Sequence, residues 1–65
     1  MTALEAILKI KQDREAMNLY PPHPLLKEIY ALVPAFIAHD EIEQLVADGV
    51  VKIGQTANDN YVELI

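Results

Sequence analysis

The stretch Leu45–Leu64, LVADGVVKIGQTANDNYVEL, decides the fold because its apolar spacing changes at Gly49. Upstream of the glycine, Ile42, Leu45 and Val46 recur at helical spacing and are expected to face inward. Downstream, Val51 and Ile53, then Val62 and Leu64, recur at every second residue, the period of a half-buried strand. Gly49 suits a left-handed helix cap, since it has no Cβ to oppose a positive φ. Thr56–Asn60 supplies a polar turn between the two apolar runs. The pattern predicts a helix ending at Gly49 and an antiparallel hairpin beyond it.

Two further helices are expected upstream. Thr2, Ala3, Leu4, Glu5 reads as a capping box, in which the Thr hydroxyl accepts from the third residue's amide and the Glu carboxylate reaches back. From there Leu4, Ile7, Leu8 and Ala16/Met17, with Ala3 and Ile10 flanking, predict a first helix over about Ala3–Asn18. It must stop before Pro21 and Pro22, which carry no amide proton and restrict the residue before them. Pro24 suits the first position of a second helix, whose stripe is Leu25, Leu26, Ile29, Leu32 and Val33 and which ends before Pro34. Ala35–Ala38 is expected as a tight apolar turn, with the third helix starting at His39 or Asp40.

Length and composition bound the rest. Sixty-five residues leave room for one domain over 1–65, and a hydrophobic share of 52% with mean hydropathy +0.14 argues against disorder. A core of this size supplies roughly 3–5 kcal/mol, so small domains commonly add disulfides, metal or a partner. There is no cysteine, which removes disulfides and thiolate metal sites and fits a reducing compartment. No apolar run approaches the roughly 18 residues of a membrane span, and Glu5 and Lys9 interrupt the N-terminal stretch. The expected location is the cytoplasm, with no membrane contact.

Helix, helix, turn, helix, glycine, hairpin is the element order of the winged helix-turn-helix. LVADGVVKIGQTANDNYVEL resembles the end of the recognition helix plus wing in that superfamily, and YPPHPLLKEIYALV (20–33) strengthens a likeness to the DNA-binding domain of LexA-type repressors. The fold this implies is α+β, three helices with a C-terminal two-stranded wing. The function it implies is a DNA-binding transcriptional regulator.

The charge distribution departs from that family. Residues 1–33 balance Lys9, Lys11, Arg14 and Lys27 against Glu5, Asp13, Glu15 and Glu28. From Pro34 onward only Lys52 opposes Asp40, Glu41, Glu43, Asp48, Asp59 and Glu63, so the whole net charge of −5 lies in that half. The expected third helix is also about one turn shorter than usual recognition helices, and its outward positions, Asp40, Glu41, Glu43, Gln44 and Asp48, include no base. Phosphate neutralisation supplies nearly all non-specific DNA affinity, so duplex binding in the usual pose is disfavoured. The acidic face reads either as a surface for a basic partner, a mimic of nucleic-acid charge, or as a solvated helix side. Lys9, Lys11 and Arg14 read as ordinary i,i+4 pairing with nearby carboxylates.

No catalytic constellation stands out. Thr2 and Thr56 are the only hydroxyl candidates besides the tyrosines, and neither has a base at a defined spacing. His39 and Glu43 at i,i+4 offer two metal ligands and His23 a third, short of the usual four. Gly49 and Gly54, the only glycines, make no phosphate loop, and no cofactor is expected. The outward alternation of the hairpin places Val50, Lys52, Tyr61, Glu63 and Ile65 on one face. That face is a candidate for self-association as a homodimer or for docking a protein partner, unless the first helix or the proline loop covers it. Lys52 is expected to pair with Glu63 at its rim.

Overall fold

A computed structural model describes all residues from Met1 to Ile65. Three helices, α1 (Ala3–Ala16), α2 (Leu26–Leu32) and α3 (Ala35–Ala47), precede an antiparallel hairpin of β1 (Val51–Gln55) and β2 (Asn60–Leu64). The architecture is α+β, as expected. No helix is long and apolar enough to cross a membrane.

The helix ends follow local chemistry. Thr2 Oγ1 accepts from the Glu5 amide at 3.1 Å and Glu5 Oε1 accepts from the Thr2 amide at 2.9 Å, completing the capping box. These bonds hold the Glu5 carboxyl below its ordinary pKa, the backbone bond from Thr2 being the larger cause. At the other end of α1, Asn18 takes φ 58°, with Leu19 N–H donating to the Arg14 carbonyl at 2.8 Å and Asn18 N–H to the Glu15 carbonyl at 3.1 Å. This is a Schellman cap in which Asn replaces the usual Gly, so α1 stops two residues before the expected Asn18. Gly49 at φ 73° closes α3 in the same way, with Val50 N–H bonded to the Leu45 carbonyl and Gly49 N–H to the Val46 carbonyl.

The middle of the chain departs from expectation in two places. Ala35–Ala38 is not a turn but the first turn of α3, which runs for 13 residues and is not short. Pro34 holds Val33 extended, at φ −128° and ψ 135°, and its own carbonyl accepts from Ile37 and Ala38. The connection is therefore complete in two residues, and the alanine-rich segment follows its helical propensity. Pro24, in turn, lies outside α2. Its carbonyl accepts the Val62 amide at 2.8 Å, and Leu25 bridges Tyr61. The proline connector thus adds a one-residue strand to the free edge of β2, and Pro24 is buried there.

The core is Ala3, Ala6, Ile7, Ile10, Ile29, Val33, Ala38, Ile42, Val51 and Val62, with Leu26, Leu45 and Leu64 packed at its margin. On α1 this stripe is rotated from the expected one. Leu8 and Met17 are exposed, whereas Ala3 and Ala6 are fully buried, because small side chains let α1 approach its neighbours closely. Leu32, Val46 and Ile53, read as inward, are each more than two-fifths exposed.

Ile29→Ala removes a fully buried side chain at the centre and is expected to cost about 2–5 kcal/mol, comparable with the whole stability of so small a domain. Leu45→Ala, at a half-buried site, is expected to cost less. Thermal melting of both variants measures the order. Because the Glu5 carboxyl is lowered in the fold, its stabilising effect is full above the unfolded value and is lost as pH falls through the folded one. Melting temperature against pH in the acid range should show this loss, and Glu5→Gln should flatten it.

Candidate interaction surfaces

Strand register fixes the outer face of the hairpin. Lys52 pairs with Glu63 and Gly54 with Tyr61, and Ile65 N–H donates to the Val50 carbonyl at 3.0 Å, extending the ladder by one step. The five residues expected on this face therefore do share it. They divide into two parts. At one end Val50 and Ile65 are open, Ile65 with 77% of its surface exposed. In the middle Lys52 Nζ lies 3.1 Å from Glu63 Oε2, the cross-strand pair read from the sequence, and His23 Nε2 lies 3.6 Å from Glu63 Oε1.

At the other end Tyr61 is covered by the proline loop. Its ring stacks on that of His23, with centroids 5.3 Å apart and planes 15° from parallel. The Leu25–Tyr61 bridge aligns the connector with β2, which brings His23 over this face. Gly54 is what lets the tyrosine lie flat across β1. A Cβ there would overlap Cζ and Oη of Tyr61. The sequence reading considered His23 only as a possible third metal ligand; its stack on Tyr61 depends on the Leu25–Tyr61 bridge, which no local pattern marks.

The acidic face of α3 is equally divided. Glu41 Oε1 accepts weakly from the Ala3 amide at 3.4 Å, placing a carboxylate at the positive end of α1. Gln44 donates to Asp48 at 3.0 Å. Asp40 and Glu43 remain in solvent with His39, and the ligand atoms of these three lie within 4.8 Å of one another. His23, weighed in the sequence as a third possible ligand, lies instead against Tyr61 and Glu63, so it does not join His39 and Glu43. Beside these charges, Phe36 is 75% exposed on the first turn of α3, next to the exposed Ile37. This apolar group was hidden by reading 35–38 as a turn.

Every Lys and Arg side chain has an acidic partner. Lys9 pairs with Asp13, Lys11 with Glu15, Arg14 with Glu28, Lys27 with Asp59 and Lys52 with Glu63. The two i,i+4 pairs on α1 match the sequence reading; Arg14 crosses to α2 instead. Glu28 Oε1 also accepts from the Leu25 amide at 2.9 Å, so one carboxylate caps α2 and fastens it to α1.

Comparison with family models, with curated proteins and with solved structures gives no match to this chain.

Gly54→Ala forces the Tyr61 ring off β1 and away from His23. The expected result is a loss of about 1–3 kcal/mol, typical of overpacking, together with loss of the ring-current shifts that the stack places on both rings. Denaturant unfolding and proton NMR measure the two effects.

Proposed function

We propose that this chain is a winged-helix module that acts by association, with itself or with a protein partner, in a gene-regulatory setting in the cytoplasm. It performs no catalysis. The observation that carries this reading is the charge pairing: each Lys and Arg side chain is matched to a carboxylate, while Asp40 and Glu43 on α3 and Asp48 at its end face solvent with no Lys or Arg among them. A phosphate backbone approaching α3 would meet Asp40, Glu43 and Asp48, and no Lys or Arg there would release its condensed counterions. Protein contact is favoured by the apolar groups left open on the same molecule, Phe36 on α3 and Val50 with Ile65 on the hairpin.

Self-association through the hairpin uses Val50 and Ile65 as its apolar centre and the Lys52–Glu63 pair as its rim, with Tyr61 contributing only the edge that His23 leaves open. A two-fold arrangement is the simplest form. A core without disulfide or metal support gains from such burial.

Two measurements test the reading. Fluorescence anisotropy with arbitrary duplex DNA at physiological salt is expected to show no binding, and salt-sensitive binding in the low micromolar range would establish the repressor-like alternative instead. Sedimentation equilibrium over a concentration series is expected to show a dimer that Ile65→Lys converts to monomer, since the variant buries an unpaired charge at the contact. A chain that remains monomeric to several hundred micromolar and captures no protein would overturn the proposal.

A further inference from the structure

The outward side of α3 carries a line of residues that no other part of the chain covers. Phe36, Asp40, Glu43 and Ala47 follow one another at steps of four, three and four residues, which set side chains above one another on one helix face. All four are exposed, and the buried Ala38 and Ile42 lie on the opposite side of the helix. Phe36 is the only phenylalanine in the chain and keeps 75% of its surface in solvent, with the exposed Ile37 beside it. An aromatic ring left open on a helix face is the kind of anchor that protein contacts bury.

Charge selects what can cover it. α3 contains no Lys or Arg, so its last turn has no base to meet the negative end of the helix dipole, and the C-cap Asp48 adds a further carboxylate there. The face is therefore apolar at its start and negative along the rest. His39 lies 3.2 Å from Glu43 and offsets it only when protonated. A second copy of the chain is a poor occupant, because two such faces would set carboxylates against carboxylates. Nor can another surface of a second copy supply the counter-charge, since all five Lys and Arg side chains are already paired with acids.

We infer that this face docks a basic amphipathic helix of a protein partner, lying antiparallel to α3 with an apolar residue on Phe36 and a Lys or Arg over each of Asp40 and Glu43. The spacing of the face sets that of the partner, whose bases stand four and seven residues before the apolar one. A third base, eleven residues before it, reaches the C-terminal end of α3 beside Asp48. Antiparallel packing also brings the positive end of the partner's dipole to the negative end of α3. The inference rests on the protein-partner reading above and gives that partner a chemistry. It uses neither Val50 nor Ile65, so a hairpin dimer leaves the face open.

The test is a titration of the intact chain, followed by nitrogen-15 NMR at about 150 mM salt with a chelator present. The probe is a blocked alanine- and glutamine-based peptide carrying one leucine and lysines four, seven and eleven residues before it. The expected result is saturable shifts centred on α3, unchanged in Ile65→Lys. Phe36→Ser is expected to weaken binding about tenfold, and Asp40→Asn combined with Glu43→Gln about fivefold, with a flatter dependence on salt. These positions are exposed, so the variants should melt as the parent does. A peptide of the same composition with its lysines spread around the helix is expected to bind at least about fivefold more weakly, which separates docking from bulk attraction between opposite charges. Shifts that do not saturate or that centre elsewhere, undiminished affinity in either folded variant, or equal affinity for the spread-lysine peptide would each overturn the inference. Such a failure beside an intact hairpin dimer removes the basic partner and leaves the association reading standing, whereas absence of both removes the two together.

Discussion

Ile29 lies in the middle of a seven-residue helix and has no exposed surface. Around it, α2 touches α1 on one side, α3 on another and β2 on a third. A helix this short has little stability of its own, since nucleation consumes most of what its few hydrogen bonds return. It persists because its single fully buried side chain is the meeting point of the other elements. The fold is therefore organised around its least autonomous piece. Small residues at Ala3, Ala6 and Ala38, all fully buried, bring the two longer helices close enough to close the core over it.

Polar contacts at the helix ends then fix the directions that burial alone leaves free. The Schellman caps at Asn18 and Gly49 set where α1 and α3 release the chain. Glu28 binds both the Leu25 amide and Arg14, so the start of α2 and the end of α1 share one carboxylate. Arg14 is thereby half-buried yet neutralised, which avoids the cost of an unpaired charge at the edge of the core. The exposed pairs Lys9–Asp13 and Lys11–Glu15 contribute little to stability by comparison. Their consequence is electrical, since they leave the N-terminal half with no surplus of positive charge.

The features that could be read from sequence were those written in short-range pattern. The change of period at Gly49, the Thr2–Glu5 box and the Lys52–Glu63 pairing each follow from spacing along one element or across one hairpin, and each is present. What escaped reading depended on contacts between distant residues. Nothing local marks Pro24 as a partner for Val62, so the proline was assigned to a helix start it does not occupy. The rotation of the α1 stripe toward Ala3 and Ala6 was likewise obscured, because hydrophobic pattern weighs large residues and close helix approach selects small ones. The stack of His23 on Tyr61 follows from the missed strand contact, and with it the partial covering of the outer hairpin face. The chemistry of that face was therefore legible, and its accessibility was not.

The hydrogen bond from Val62 to Pro24 joins residues separated by the whole of α2 and α3. Sheet completion is thus a long-range event in a chain whose other contacts are mostly within or between adjacent elements. Closing a loop of this length costs entropy that is repaid only after closure. The helices can gather early around local contacts, while the sheet must wait for β2 to come back to the connector. During synthesis the N-terminal half emerges first but lacks the strand that buries Pro24. Folding of this domain accordingly needs β2 to be present, and until β2 docks the apolar connector is open to solvent.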